Sequence, residues 1–391
     1  MGKGRRRILF VSHNATHTGA PHILLGIIRE FEENGNWDIQ VLVMEDGPLV
    51  KEFKLIGKTF VWYHKPRYLI SSKKGLISFI IRTYYKIRGI FLLWKIKQVD
   101  IVFLNTITNG LIHRKLVGKS KHFITYVHEL ESSIRANTNA ESLNQALEHT
   151  SYFFAGSGAV ARMLRDCYKV DEGKMMVLYS SLQSLELNRK SGYRIESNAI
   201  TEGRRIPADA FVIGILGTGE WRKGFDWLFP VMKMYFKKFP NGNAYFIWKG
   251  VSSTGRDSYH NSYDFVKSKL CERVILLPHG NDAMSIMENF DVHLLLARED
   301  PFPLVALEAA SFGIPTICFK DAGGIPEFVG EDAGICIEYG DIDAVAEAII
   351  YLERNPELVG QFGSRAKEKV ADYQSSKAAQ TIMAVAEQFM K

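Results

Sequence analysis

The stretch from Arg298 to Val329 reads R-E-D-P-F-P-L-V-A-L-E-A-A-S-F-G-I-P-T-I-C-F-K-D-A-G-G-I-P-E-F-V. Its spacing predicts an apolar strand, H-L-L-L-A at 293–297, an acidic loop from Arg298 to Asp300, and a helix from about Leu304 that carries Glu308. Seven residues separate Asp300 from Glu308. The positive dipole end of such a helix and its free N–H groups, those of Leu304 and Val305 just after Pro303, suit a phosphate. Carboxylates on either side would repel a phosphate, so their partners are neutral, hydroxyl-rich groups attached to it, a ribose or a hexose. Gly323-Gly324 followed by Glu327 adds a second loop of close approach with a third acid. The stretch reads as a pocket for a sugar diphosphate.

A cationic loop lies earlier. After the strand F-V-I-G-I-L at 211–216 comes G-T-G-E-W-R-K-G, with Gly217 and Gly219 but with Arg222 and Lys223 where a dinucleotide fingerprint carries its third glycine. Backbone amides can hold a diphosphate, and adjacent cations can also neutralise the charge that a departing diphosphate develops. The alternative is a solvated basic pair at a helix start, where the dipole disfavours cations.

Two strand ends in the first half are chemically loaded. Asn105 closes D-I-V-F-L-N, and His128 with Glu129 and Glu131 closes H-F-I-T-Y-V. A histidine where the chain leaves the core suggests function, against the alternative that it only binds loop backbone. Gly19, in the loop H-N-A-T-H-T-G-A-P, reads either as a phosphate or substrate contact or as a turn residue. His113, His122 and His149 sit in patterns that suit packing.

Strands at 8–12, 39–44, 100–105, 122–127, 152–157 and 175–180, with helices at 22–31 and 159–168, predict an α/β fold with a parallel doubly wound sheet. Its ligands belong at the carboxyl ends of the strands. From Gln183 to Ala208 the chain is polar and aperiodic. The pattern then restarts, with strands at 211–216, 244–249, 274–278, 292–297, 315–319 and 333–337 and helices at 225–235, 341–354, 356–371 and 375–390. A second strand, loop and helix beginning predicts two similar domains. The expected division is 1–182, a linker 183–208, a second domain 209–372 and a terminal segment 373–391.

A chain of 391 residues, 46% hydrophobic, is long enough for two full cores. Cys167, Cys271, Cys318 and Cys336 lie far apart without metal-ligand spacing, which reads as reduced thiols and a cytoplasmic protein. The basic start M-G-K-G-R-R-R leads into a strand too short for the apolar segment of a signal peptide, and no apolar run is long enough to span a membrane. Net charge is +6, yet residues 53–99 hold eleven Lys or Arg and no acid, so the remainder is about −5. Between these cations stand Phe60, Trp62, Tyr63, Tyr68, Phe79, Tyr84, Tyr85, Phe91 and Trp94. Basic, aromatic and aliphatic together is the composition of a surface lying on an anionic membrane, here its inner face. The alternative is an aromatic core beneath a solvated basic face. Nucleic acid fits poorly, since no recognisable module accompanies the charge.

Taken together, G-A-P near the first strand, V-H-E-L-E at 127–131, G-T-G-E-W-R-K-G at 217–224, R-E-D-P-F-P-L-V-A-L-E-A at 298–309 and A-G-G-I-P-E at 322–327 resemble the retaining family 4 glycosyltransferases of the GT-B fold. The resemblance covers nearly the whole chain. It implies two Rossmann-like domains facing each other across a cleft, the first binding the acceptor and the second a nucleotide sugar, with the last helix returning to the first domain. On this resemblance Arg222 and Lys223 bind the donor diphosphate, backbone near Pro303 to Val305 completes that site, and Glu308 holds the ribose. Asp300 contacts the transferred sugar, His128 lies near the reacting carbon, and Gly19 and Ala20 permit close approach. Asn105 and Glu129 fall on the acceptor side. The implied reaction needs no metal or other cofactor and uses a glycan or lipid-linked acceptor in capsule, lipopolysaccharide or exopolysaccharide synthesis.

Three departures stand out. The first acid of the family's pair is usually Glu, where this chain has Asp300 preceded by Glu299. Thr218 occupies the place of a frequent Arg, and Thr18-Gly19 replaces Gly-Gly. Two other functions remain open on these residues: a sugar-nucleotide epimerase of the same fold, and a non-catalytic subunit that binds a nucleotide sugar.

Overall fold

The computed structural model describes residues 5–63, 76–183, 206–251 and 255–390. The chain forms two compact units, one of residues 1–183 with 373–391 and one of 184–372. Most of the polar stretch expected to link them, and part of the basic aromatic region, lie outside the described residues.

The first unit is built on a parallel sheet in the order β3-β2-β1-β4-β5-β6-β7. Its strands are β1 (Arg6–Ser12), β2 (Trp37–Glu45), β3 (Lys58–Tyr63), β4 (Ile101–Leu104), β5 (His122–Val127), β6 (Tyr152–Ala155) and β7 (Met175–Val177). Strand β1 lies between β2 and β4, with Phe10 paired to Val41 on one side and Phe103 on the other. Its residues from Ile8 to Val11 are buried, which is why the segment reads as an unbroken apolar run. The helix Ser375–Gln388 packs on the helix Gly19–Asn34 of the same unit, and Ser375 Oγ donates to the Leu182 carbonyl at 3.1 Å.

The second unit repeats the plan with six parallel strands in the order β10-β9-β8-β11-β12-β13. These are β8 (Phe211–Leu216), β9 (Ala244–Lys249), β10 (Val274–Leu277), β11 (Val292–Leu295), β12 (Thr316–Phe319) and β13 (Gly334–Ile337). A Cβ at Gly214 would fall 1.8 Å from the Phe290 ring, so the glycine at the centre of β8 lets that ring close the core beneath the sheet. In both sheets the chain winds outward in one direction and then resumes on the far side of its first strand. The β1/β4 and β8/β11 gaps are therefore topological switch points, where loops part and a ligand has room.

Several elements differ from their sequence-based expectation. The first helix starts at Gly19, three residues before His22. Strand β6 stops at Ala155, because Ser157 turns out of the sheet to cap the helix Gly158–Tyr168, its hydroxyl accepting from the Val160 N–H at 3.3 Å. Strand β3 and the helix Leu76–Lys95 are absent from the pattern reading; the helix is apolar on two opposite faces and so shows no single apolar stripe. The cysteines are less dispersed than their numbers suggest, since Cys318 and Cys336 are register partners on β12 and β13 with Sγ atoms 3.7 Å apart. No described helix is long and apolar enough to cross a membrane.

Candidate active site

The switch point of the second unit gathers the cationic loop and the acidic loop. The residues Trp221–Lys223 form a single 3-10 turn, and Gly224, at φ +76°, leads into the helix Phe225–Lys238. A Cβ at Gly224 would stand 1.9 Å from the Leu296 carbonyl oxygen, so the close-approach glycine of this loop is Gly224, beyond the G-x-G that the sequence displays. Trp248 Nε1 donates to the Gly217 carbonyl at 2.8 Å, fixing the start of the loop.

Within this frame Lys223 Nζ donates to Asp300 Oδ2, and Arg222 Nη1 lies 4.0 Å from the same oxygen. Arg222 also donates to the Glu299 carbonyl at 3.0 Å. The two cations are thus no solvated pair: only 15% of the Lys223 side chain is exposed. Of the two candidate acids, Asp300 supplies its carboxylate to this cluster and Glu299 its backbone oxygen. Asp300 is held from behind by its N–H to the Ala322 carbonyl at 2.7 Å and by a parallel bridge to Gly323. Gly323 is required there: its φ is +138°, and a Cβ would fall 1.7 Å from the Asp300 carbonyl oxygen.

Pro303 is the N-cap of the helix Leu304–Ser311, and no side chain caps it. Its first-turn amides, those of Leu304 and Val305 among them, are the kind of uncapped donors that receive a phosphate. One turn on, Glu308 keeps some accessible surface, yet burial pushes its carboxyl up to about 7. Glu327 lies in the first turn of the short helix Ile325–Val329.

Three participants escape a motif reading. Arg298 forks onto Asp226 with two 2.7 Å bonds, lies 3.9 Å from the Trp227 ring and 4.7 Å from that of Trp221, and donates its backbone N–H to the Arg222 carbonyl at 2.8 Å. It clamps the turn that carries the two cations. Lys249, largely buried at the end of β9, pairs with Asp282 at 2.7 Å. His293 is fully buried on β11 with Nδ1 3.2 Å from Thr316 Oγ1; burial and then the Lys223 charge hold its imidazole down to about 4. A lysine and glycine at a strand end, Lys249-Gly250, is the one sequence signal that points to any of them.

The first unit has its own cluster at the β1/β4 switch point. Asn105 Nδ2 donates to the Ala20 carbonyl at 2.7 Å, which leaves Oδ1 to face His128 Nε2 at 2.9 Å. That orientation makes Nε2 the protonated nitrogen of a neutral ring and leaves Nδ1 as an acceptor. Burial, with His13 adding to it, lowers His128 to about 3, and burial lowers His13 to about 4. The His128 ring also lies 3.9 Å from that of Tyr126. Glu129 turns inward: it accepts from the His128 N–H at 3.0 Å and from the Thr106 hydroxyl, and burial raises its carboxyl to about 7 despite those bonds. Gly19 begins the helix whose first turn includes Ala20, so Asn105 ties that turn to His128. His113 is a core residue, its Nε2 3.2 Å from Thr125 Oγ1.

Two doubly wound parallel sheets, each with its loaded loops at a switch point, define a GT-B protein. Residues 197–369, within and just before the described part of the second unit, match the family model described as glycosyl transferases group 1. Among curated proteins, the chain is 27% identical over 152 residues to an uncharacterized glycosyltransferase of Haemophilus influenzae, a match spanning 39% of this chain and 42% of that protein. It is 24% identical over 362 residues to the capsular polysaccharide biosynthesis glycosyltransferase CapM of Staphylococcus aureus, 91% of this chain and 86% of that one. The crystal structure of Anabaena Alr3699/HepE in complex with UDP-glucose superposes with a TM-score of 0.76 at 16% identity, over 98% of this chain and 99% of that one.

Proposed function

We propose that this protein is a retaining glycosyltransferase that moves a hexose-type sugar from a nucleotide diphosphate sugar to a hydroxyl of a glycan or lipid-linked acceptor in the synthesis of a bacterial cell-surface polysaccharide. The observation that carries the reading is the Arg222–Lys223–Asp300 cluster at the β8/β11 switch point, beside the uncapped helix start at Leu304. The group 1 family match supports glycosyl transfer, and the similarity to CapM supports the polysaccharide setting.

In this reading the donor diphosphate takes its charge partners from Arg222 and Lys223 and its backbone donors from Leu304 and Val305. Glu308 binds the ribose hydroxyls as an ionised acceptor, and Asp300 accepts from hydroxyls of the transferred sugar while Lys223 balances its charge. The His128, Asn105 and Glu129 group of the first unit serves the acceptor side, with neutral His128 accepting through Nδ1 while Asn105 holds its tautomer. The bond from the anomeric carbon to the diphosphate oxygen breaks, and the acceptor oxygen bonds to that carbon on the same face. The acceptor's proton passes to the leaving diphosphate. Charge developing on that leaving group is met by preorganised cations, a contribution commonly of several kcal/mol, so the reaction runs without a metal.

The test is transfer from a panel of UDP-, GDP- and ADP-hexoses to lipid-linked and free glycan acceptors, with the anomeric configuration of the product read by NMR and the assay repeated in EDTA. A product of unchanged configuration, formed equally in EDTA, is expected. Inversion at the anomeric carbon, or transfer abolished by EDTA and restored by a divalent cation, overturns the mechanism.

A further inference from the structure

The helix Leu76–Lys95 lies along β3, an edge strand of the first sheet, and does not behave as a surface helix should. One face is packed. Tyr85, Gly89, Leu92 and the following Ile96 turn inward, and a Cβ at Gly89 would fall 2.1 Å from the Trp62 ring. Arg88 secures that face by donating to the Val61 carbonyl at 2.9 Å and the Trp62 carbonyl at 3.3 Å.

The opposite face is apolar as well. Ile80, Tyr84, Ile87, Phe91 and Trp94 recur at steps of four and three, which sets them in one straight stripe, with Ile90 beside it. Each is between 53% and 78% exposed. A helix that is apolar on both sides is normally covered on both.

Charge indicates what covers this one. Lys86, Lys95 and Lys97 are exposed on and just beyond the helix, the Lys95 ammonium lies 4.4 Å from the Phe91 ring centroid, and residues 53–99 contain no acid. The four-and-three spacing would also suit pairing with a second copy of the helix. Such a pair needs charges of both signs along its seam, whereas two copies here would bring lysine against lysine. Tyrosine and tryptophan beside aliphatic residues, on a segment whose only charged side chains are cations, match the boundary of a bilayer carrying anionic headgroups.

We infer that the Ile80–Trp94 stripe is a membrane-docking face: the helix lies in the plane of an anionic bilayer, with Ile87, Phe91 and Trp94 entering the headgroup boundary and Lys86 and Lys95 meeting lipid phosphates. The inference goes beyond the transfer reaction, and its assay uses no donor sugar, so either can fail without the other.

Co-sedimentation of the full chain with phosphatidylglycerol-rich vesicles and with pure phosphatidylcholine vesicles tests it. The expected result is binding to the anionic vesicles that falls at least tenfold for the pair Ile87→Glu and Phe91→Glu, and falls with added salt for the wild type. Lys86→Glu with Lys95→Glu should remove the preference for anionic lipid. All these positions face solvent, so melting temperatures in the absence of vesicles should match the wild type. Equal binding to both vesicle types, binding unaffected by the glutamate pair, or a lipid-free dimer that the glutamate pair dissociates would each overturn the inference.

Discussion

Lys223 Nζ donates to Asp300 Oδ2 at the switch point of the second sheet, joining the cationic loop after β8 to the acidic loop after β11. Each residue answers a difficulty posed by the other. An acid at a diphosphate site repels its ligand, and a lysine at a helix start opposes the dipole; paired, they present a largely neutral unit, with Arg222 supplying the surplus positive charge.

Lys223→Ala should therefore lower kcat by about a hundredfold or more, since a preorganised charge at the leaving group is lost. It also leaves the Asp300 carboxylate, 9% exposed, with only Arg222 at 4.0 Å, so the ligand-free protein should melt lower. Steady-state kinetics together with thermal melts would check this. An unchanged kcat with a lowered melting temperature would mean the pair is purely structural.

Glu308, proposed to hold the ribose, should carry a stability cost in the ligand-free protein. Its folded carboxyl titrates near 7, whereas an unfolded glutamate titrates near its ordinary value of about 4.3. The unfolded chain thus loses this proton first, and folding stability falls as pH rises between those two values, then levels off. Glu308→Gln removes that loss, so the variant's melting temperature should exceed the wild type's by more at pH 8 than at pH 5. Donor binding should weaken by about tenfold, because a charge-assisted hydrogen bond to the ribose is lost. Calorimetric melts at the two pH values and a donor titration would read both.

Asn105 acts on His128 by fixing its tautomer and anchoring the helix start at Ala20. Asn105→Ala should reduce turnover by roughly tenfold to a hundredfold through misorientation. Asn105→Asp sets a carboxylate beside Nε2 and should raise the His128 pKa from about 3, moving the acid limb of the pH–rate profile upward. A packing role alone would not shift that limb.

Two glycines should respond oppositely to alanine. At Gly323 the new methyl meets the Asp300 carbonyl from a left-handed backbone, and a loss of roughly 3 kcal/mol or more is expected together with loss of transfer. At Gly360, inside the helix Pro356–Val370, the added Cβ meets nothing within 4 Å, so alanine should stabilise by about 1 kcal/mol and leave transfer intact. Denaturant melts of both variants decide it.

Much of this site is legible in the sequence because strand ends carry it. Asp300, Arg222, Lys223, Asn105 and His128 all follow strands, and a parallel sheet delivers such positions to one edge, while Glu308 comes in the helix that follows the acidic loop. What stayed hidden depends on partners distant in the chain. Arg298 reads as an ordinary loop cation until Asp226 and two tryptophans enclose it, and His13 reads as loop until the β1/β4 gap buries it. Gly224 does not stand out beside the G-x-G before it, because its close contact is with Leu296, at the end of the neighbouring strand. The helix Leu76–Lys95 is hidden for another reason: periodicity reveals helices with one apolar face, and this one is apolar on two.

The central claim is that the β8/β11 switch point binds a nucleotide diphosphate through its cations. Isothermal titration of UDP, GDP and ADP, with the matching nucleosides as controls, tests it most directly on the wild type and on Lys223→Ala. The account predicts that at least one diphosphate binds while its nucleoside binds at least tenfold more weakly, and that Lys223→Ala removes most of that difference. Nucleoside and diphosphate binding alike, or a diphosphate affinity indifferent to Lys223→Ala, would contradict it.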